Sequence, residues 1–181
     1  AGVLGISPYQ TPLSVYRSKH GVDDDFDPER AFVGHKTEVM VADYVTTFRP
    51  ELGAIEPAMM IRSIETPWLH ASLDRVILTP SGERVPLQIK SAHFYGVKDW
   101  EDGIPPLIVQ AQVQTEIHVF DAPFGYAGLL GGDMKIRILR VERNQGFIDD
   151  HLLPSTEAFW SDHVLAGVAP DPSTLAEISD V

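Results

Sequence analysis

The residues best suited to chemistry are Asp74, Gln88 and Lys90, which stand in two neighbouring apolar stretches. Residues 72–78 and 85–90 are both rich in Val, Ile and Leu, and a Pro-Ser-Gly turn separates them. This pattern predicts a β-hairpin. The hairpin would bring a carboxylate, an amide and an ammonium group close together in space.

Strand alternation divides the second stretch into two faces. It predicts that Leu87 and Ile89 point into a core, while Gln88 and Lys90 point together to the opposite face, with Asp74 on the neighbouring strand. A carboxylate, a second oxygen donor and a lysine on one face suit a hard divalent cation with a water beside it. The same spacing is also typical of an ordinary solvated strand, so other segments of the chain are needed to distinguish a cation site from a solvated strand.

The composition is that of a globular protein and excludes several classes of site. A length of 181 residues predicts a single domain over residues 1–181, with an N-terminal helix and acidic loop over 1–27, a core over 28–168 and a tail over 169–181. Cysteine is absent, which excludes disulfides, thiolate zinc sites, a Cys nucleophile and iron–sulfur clusters. The net charge of −12 argues against general polyanion binding, although much of the acid lies in residues 23–27 and in the stretch after Asp149.

No uninterrupted apolar run approaches membrane-spanning length, and the first residues do not have the pattern of a secretory signal. The chain begins at Ala1 without a methionine. We therefore expect a cytoplasmic protein, in a bacterium or in a phage-infected host cell.

The order of predicted elements indicates the fold class. Thr11 followed by Pro12 predicts a helix that ends near Gly21, and a second helix is expected from Glu29 to about Phe48. Residues 94–106 predict a surface loop with a helical turn. The other predicted elements are strands over 58–64, 72–78 and 85–90, a helix over 107–120, strands over 124–130 and 135–141, and a helix over 148–168. This order predicts an α/β (α+β) fold in which helices flank a central mixed β-sheet.

The helix over 107–120 contains three glutamines, Gln110, Gln112 and Gln114. Because Gln110 and Gln114 are one turn apart, they share a helix face that Gln112 does not share. Only one of these two faces can point at the cation.

Taken together, several short segments resemble the YqaJ-like phage recombination exonucleases, relatives of phage lambda exonuclease in the PD-(D/E)XK nuclease superfamily. The resemblance covers almost the whole chain in the family's order, and it implies a restriction-endonuclease-like core. The matching segments are Leu4–Tyr9, Gly34–Glu38, Ala71–Asp74, Leu87–Lys90, Ala111–Gln114, Ala158–Trp160 and His163-Val164.

The resemblance implies a role for each site residue. Asp74 would be the metal carboxylate, Lys90 would help activate the attacking water, and Glu38 on the second helix would complete the metal or water shell. Gln112 matches a glutamine that bridges phosphate, water and catalytic residues, and Ser72 matches a serine that helps to hold a terminal 5′-phosphate. The implied metal ligands are Asp74, Gln88, Ile89 and Glu38, for Mg²⁺ with Mn²⁺ as a substitute, and His35 is a further candidate ligand.

Gln88 departs from the family pattern, which has an acidic residue two positions before the lysine. An amide oxygen binds a hard cation but brings no charge, so the substitution would weaken metal binding. The alternative is a site built around the amide, whose NH₂ group would donate to Asp74, to a water or to DNA.

The resemblance implies metal-dependent hydrolysis of one strand of linear duplex DNA from its 5′ end. It also implies double-stranded DNA ends as the substrate, a single-strand annealing protein as a partner, and homo-oligomeric rings that would concentrate positive charge in a channel. Two other functions remain open. One is a catalytically silent DNA-end or partner-binding module of the same fold, and the other is a structure-specific or restriction-type endonuclease.

Overall fold

The computed structural model describes residues 1–22, 27–100, 102–174 and 177. The chain divides into two compact units, one formed by Ala1–Phe26 and Gly146–Val181 and the other by Asp27–Gln145. Residues 23–26 of the expected acidic loop and most of the end of the tail lie outside the described residues. The single-domain organisation stays a prediction.

The described secondary structure consists of α-helices, β-strands and short 3₁₀ and π segments. The α-helices are α1 Pro12–Lys19, α2 Pro28–Phe48, α3 Leu107–Phe120, α4 Gln145–Phe147 and α5 Leu153–Phe159. The strands are β1 Ala54–Glu56, β2 Met59–Arg62, β3 His70–Leu73, β4 Arg75–Leu78, β5 Arg84–Ala92, β6 Phe124–Gly131 and β7 Ile136–Glu142. The 3₁₀ segments are Pro50–Leu52 and Phe94–Trp100, and the π segments are Ile148–Leu152 and Trp160–Leu165.

The unit Asp27–Gln145 is built on a mixed five-stranded sheet in the order β1-β4-β5-β6-β7. Strands β5 and β6 run parallel, and the other neighbouring pairs run antiparallel. The predicted hairpin is confirmed as β4 and β5, in which Arg75 pairs with Leu87. Strands β2 and β3 form a separate antiparallel pair.

A helix packs against each face of this sheet, and apolar side chains fill both interfaces. Val41 and Val45 of α2 share a buried cluster with Leu87 and Ile89 of β5. On the opposite face α3 packs on β6, and this cluster contains Val109, Val113, Ile117, Ala127 and Leu129. The expected arrangement, a mixed sheet flanked by helices, is confirmed.

Local signals set the start of α2, which carries part of the site. The Asp27 side chain accepts hydrogen bonds from the backbone N–H groups of Glu29 and Arg30 at 3.0 Å each. Pro28 occupies the first turn, where its missing N–H costs nothing. This start fixes which side chains of α2 face β5.

The unit formed by the two ends of the chain contains α1 and the C-terminal helical segments. Thr11 caps α1 as expected, with Ser14 N donating to Thr11 Oγ1 at 3.0 Å and Thr11 N donating to Ser14 Oγ at 2.9 Å. Phe159 of α5 is buried. Among the described residues, no helix is both long enough and apolar enough to cross a bilayer.

Two sequence predictions about this fold were wrong, and one strand was not predicted. The stretch 72–78 is not one strand: it breaks at Asp74, so that β3 and β4 belong to different sheets. Strand β1 was not expected, because three residues carry no readable alternation. The segment after β5 is not wholly a surface loop, since Val97 and Trp100 are buried in it.

The turn before β1 requires glycine at Gly53. Its φ is 128°, and a Cβ there would lie 2.1 Å from the Leu78 carbonyl oxygen. We expect Gly53→Ala to lower the free energy of unfolding by at least about 1–3 kcal/mol, since backbone strain and a clash add together. Gly34→Ala is the matched control, because α2 leaves open space there, and it should raise stability by about 0.5–1 kcal/mol. Urea denaturation of both variants tests this, and equal stabilities would contradict it.

Candidate active site

A cavity of about 310 Å³ lies where α2 passes the end of β5. Five of the predicted site residues line it, and their neighbours on α2 and β5 complete the wall. The lining residues are Arg30, Val33, Gly34, Thr37, Glu38, Asp74, Gln88, Ile89, Lys90 and Ser91. The structure therefore brings together residues that lie up to 61 positions apart in sequence, between Arg30 and Ser91.

Asp74 is held at the break between β3 and β4 by donors from β5. Its Oδ2 accepts the backbone N–H of Ile89 at 2.7 Å and the side-chain NH₂ of Gln88. Burial raises the pKa of Asp74 above its ordinary value, while the Ile89 N–H and the charge of Lys90 act in the opposite direction. The carboxylate is thus fixed in position by two donors.

A chain of two amides runs from this carboxylate to α3. Gln88 donates to Asp74, and Gln112 Nε2 donates to Gln88 Oε1 at 2.8 Å. Because an ionised carboxylate only accepts, it fixes the direction of both amides. Gln88 is 2% exposed, since α3 covers the face that the sequence pattern treated as open. Of the two arrangements considered for Gln88, the geometry matches the one in which its NH₂ donates to Asp74.

Gln112 is the glutamine of α3 that reaches this centre. Gln110 Nε2 instead donates to the Pro105 carbonyl at 2.7 Å, and Gln114 Nε2 donates to the Glu142 carbonyl at 2.7 Å. Of the three glutamines, only Gln112 therefore lies on the face of α3 that points at Asp74, as the spacing along the helix predicts.

Glu38 reaches the cavity from α2 but is already paired. Its Oε2 lies 3.3 Å from Arg75 Nη1, and its Oε1 lies 3.4 Å from His35 Nδ1. Arg75 also donates to the Asp74 carbonyl. Glu38 therefore lines the cavity with its negative charge paired to Arg75. The side chain of His35 is 80% exposed.

Two cationic side chains line the cavity, Lys90 from β5 and Arg30 from the first turns of α2. Lys90 is half-buried, whereas Arg30 is exposed. Arg30 was not among the predicted site residues, because nothing in its local sequence pattern separates it from a solvated helix residue. Ser72 is exposed on β3 two residues before Asp74 and does not belong to this lining.

The structure adds a buried acid, Glu116 on α3, that the sequence analysis did not select. It is 2% exposed, and neither carboxylate oxygen has a hydrogen-bond partner of ordinary geometry in the described part of the chain. Burial raises the pKa of Glu116 well above 4.5, and the charge of Asp74 acts in the same direction. Lys90 and the Gln112 amide act to lower the pKa of Glu116, although the well-formed hydrogen bond of Gln112 is the one that its Nε2 donates to Gln88.

The donors around Asp74 match a hard divalent cation in type and charge. Carboxylate, amide and backbone oxygens are what Mg²⁺ takes as protein ligands. Within the described residues, no three His, Cys, Asp or Glu side chains converge on one point. A bound dication would nevertheless stabilise the ionised form of the buried, unpartnered Glu116 carboxylate, which burial otherwise disfavours. The residues therefore fit such a cation.

The raised pKa of Glu116 predicts how the metal-free protein responds to pH. The folded state binds a proton above pH 4.5 that the unfolded state releases, so the free energy of unfolding falls as pH rises above that value. Glu116→Gln removes this contribution, and the variant should be more stable than the parent at about pH 8. Urea denaturation in EDTA at about pH 5 and pH 8 measures the effect. Parallel pH profiles for the two proteins would contradict it.

Comparison with solved structures identifies the fold. An alkaline exonuclease from Laribacter hongkongensis, LHK-Exo, superposes with a TM-score of 0.66 and 14% identity over 87% of this chain and 79% of that one. LHK-Exo in complex with dAMP gives a TM-score of 0.71 and 16% identity, over 93% and 86% of the two chains. At these identities the likeness shows the fold alone, which is the expected PD-(D/E)XK fold.

Comparison of sequences identifies the family. The uncharacterized protein YqaJ of Bacillus subtilis (strain 168) is 30% identical over 181 residues, which cover 97% of this chain and 55% of that protein. The chain thus spans about half the length of this curated relative. A model described as the YqaJ-like viral recombinase domain matches residues 1–123, which include β5, α3 and every predicted site residue. The chain therefore belongs to the YqaJ-like viral recombinase domain family.

Proposed function

We propose that the protein is a divalent-metal-dependent deoxyribonuclease that hydrolyses phosphodiester bonds of linear duplex DNA from its ends. The observation that carries this proposal is the single cavity lined by Asp74, Gln88, Lys90 and Glu38. The recombinase family and the fold shared with alkaline exonucleases support it. The dAMP bound by LHK-Exo is a deoxynucleotide, the unit that end-digestion of DNA would release.

Each side chain has a definable part in this reaction. Asp74, with Gln88, the Ile89 carbonyl and Glu38 as further oxygen donors, would hold the cation. A bound Mg²⁺ or Mn²⁺ would polarise the phosphoryl oxygen and lower the pKa of the attacking water. The Lys90 ammonium would offset the charge that builds on the phosphate and orient that water.

The hydrogen bonds around Asp74 hold it ready for this role. The Ile89 N–H and the Gln88 amide both bind Oδ2, so the carboxylate cannot rotate freely. Gln112 fixes Gln88 in turn and links the site to α3. Such support makes the position of a metal carboxylate reproducible from one turnover to the next.

The net charge of −12 does not rule out this substrate, because the cavity has its own cations. Arg30 and Lys90 stand on opposite elements that border it, where a phosphate backbone could pass between them. Ring formation by several copies would concentrate such cations in one channel. A single-strand annealing protein is the expected partner for the 3′ strands that digestion from 5′ ends would leave.

Incubation with two forms of one plasmid, linear and covalently closed circular, tests the proposal. Linear duplex should be degraded in Mg²⁺ or Mn²⁺ and preserved in EDTA, while covalently closed circles should survive. Cleavage of closed circles would instead identify an endonuclease. Binding of linear ends without degradation, in every metal tried, would identify a silent end-binding module.

The end preference gives a separate prediction for Ser72. If Ser72 helps to hold a terminal phosphate, duplex with a 5′-phosphate should be degraded faster than duplex with a 5′-hydroxyl. Ser72→Ala should reduce that ratio by about tenfold or more, because a hydrogen bond to a charged phosphate contributes about 1.5–3 kcal/mol. Ser91→Ala, on the wall of the cavity itself, is the comparison variant. Equal rates on both ends with the parent protein would refute the 5′-end assignment and leave the nuclease assignment intact.

A further inference from the structure

Glu116 carries a buried carboxylate to which the proposed mechanism gives no role. It follows Gln112 by one turn of α3, so both side chains leave the helix on the same side. Gln112 reaches the amide beside Asp74, which shows where this face of the helix points. Glu116 also interacts electrostatically with both Asp74 and Lys90. Its carboxylate therefore belongs to the same centre.

A buried carboxylate without hydrogen bonds is an expensive feature for a fold to keep. An unsatisfied buried polar group costs about 1–3 kcal/mol, and a charged group costs more. Both oxygens of Glu116 are in this state among the residues that the structure describes. A structural glutamate would be expected to have a donor of its own, as Asp74 has in Ile89. A cation that binds between the acids would provide what is missing.

Position 88 explains why a second acid is needed. The Gln88 amide has no charge, its NH₂ is committed to Asp74, and its oxygen is committed to Gln112. Glu38 is compensated by Arg75 at 3.3 Å. Asp74 would thus face a dication almost alone, whereas the affinity for hard cations rises with the number of charged ligands.

We propose that Glu116 is the second carboxylate of the divalent-cation site beside Asp74, and that it supplies from α3 the negative charge that Gln88 lacks on β5. The inference rests on the proposed metal-dependent nuclease function. It predicts that a carboxylate at position 88 can replace the carboxylate at position 116 in binding the cation, since both side chains face the same centre.

Direct Mn²⁺ binding, measured by calorimetry and by electron paramagnetic resonance, tests this without any DNA. Glu116→Gln should raise the Mn²⁺ dissociation constant at least about tenfold, the range seen when a residue supporting a metal site is removed. The double variant Gln88→Glu/Glu116→Gln should recover affinity to within about threefold of the parent, because it returns one carboxylate to the centre. Glu157→Gln is the control, since it removes the same charge from an exposed position on α5.

Melting in EDTA accompanies the binding measurement and separates folding from binding. Glu116→Gln should melt no lower than the parent without metal, and Mn²⁺ should raise its melting temperature less than it raises that of the parent. An unchanged dissociation constant for Glu116→Gln overturns the inference while leaving the nuclease proposal in place. Loss of affinity that the double variant does not recover also overturns it, because Glu116 would then act through local structure. A parent protein that binds no Mn²⁺ and degrades no DNA overturns the proposed function itself.

Discussion

Asp74→Asn should lower the rate of DNA degradation at least about hundredfold while the protein stays folded. Asp74 is the carboxylate that both β5 donors converge upon, and the proposed cation would bind to it. Charge stabilisation by a bound metal contributes several kcal/mol. Since 1.36 kcal/mol corresponds to a tenfold change in rate, loss of the metal reduces turnover by two or more powers of ten.

The amide chain explains why this variant should keep its structure. Asparagine has the shape of aspartate and retains one oxygen for the Ile89 N–H. Because both donors bond the same oxygen of Asp74, an asparagine whose Oδ1 takes that position still accepts from the Ile89 N–H and from the Gln88 NH₂, and the bond from Gln112 to Gln88 is kept. Asp74→Ala has no such oxygen, so Asp74→Asn is the cleaner test.

Rates on end-labelled linear duplex, together with melting curves in EDTA, measure both parts of this expectation. Lys90→Met and Lys98→Met form a matched pair: each removes one positive charge, but Lys90 lines the cavity and Lys98 is exposed outside it. Only Lys90→Met should reduce the rate strongly. If Asp74→Asn degraded DNA at the parental rate, the site would have to lie elsewhere on the molecule.

The sequence pattern was sufficient for the elements that carry the site. The bounds of α3 were predicted to the residue, because Pro106 precedes it and an apolar periodicity runs to Phe120. Helix α2 and the β4–β5 hairpin were predicted within a few residues for similar reasons. Capping residues, turn residues and alternation are local signals, and they can be read from sequence alone.

The environment of Gln88 could not be read in this way, because it depends on a tertiary contact. Alternation correctly placed Gln88 opposite Leu87, but it does not tell whether that face is covered. Helix α3 packs on it and leaves Gln88 only 2% exposed. The break at Asp74 has the same origin, since the bonds that hold it come from β5, 14 and 15 residues further along the chain.

Glu116 was accessible to sequence reasoning and was still not selected. Its separation from Gln112 is four residues, so the choice of the Gln112 face already implied that Glu116 points at the same centre. The residue type alone gives no signal at this position, because a helical glutamate is ordinarily solvated. A site residue on a helix is therefore a reason to inspect the positions three and four residues away from it.

Gln88→Glu should destabilise the metal-free protein, because Gln88 supplies a donor that a glutamate cannot supply. The substitution removes the hydrogen bond to Asp74 and places two carboxylates side by side in a buried position. Losing a hydrogen bond to a charged group costs about 1.5–3 kcal/mol, and like-charge repulsion adds to it. Protonation of the new acid would relieve both effects.

The pH dependence of stability follows from that relief. A glutamate held beside Asp74 has a folded-state pKa above its unfolded value of about 4.3. The folded protein then binds more protons than the unfolded chain, so the free energy of unfolding falls as pH rises above that value. Gln88→Met loses the same hydrogen bonds but adds no titrating group, so its stability should fall less steeply with rising pH than that of Gln88→Glu.

Urea denaturation of the parent, Gln88→Glu and Gln88→Met at about pH 5 and pH 8, in EDTA and in Mg²⁺, measures each contribution separately. Mg²⁺ should stabilise Gln88→Glu more than it stabilises the parent, since a cation that binds only the folded state at a hundred times its dissociation constant adds about 2.7 kcal/mol. Gln88→Met should gain no more from Mg²⁺ than the parent does. If Gln88→Glu were as stable as the parent in EDTA at pH 8, the donated bond from Gln88 to Asp74 would have no energetic role. If its stability were instead low but independent of Mg²⁺, the two carboxylates would not share a cation, and the metal site would have to be built without position 88.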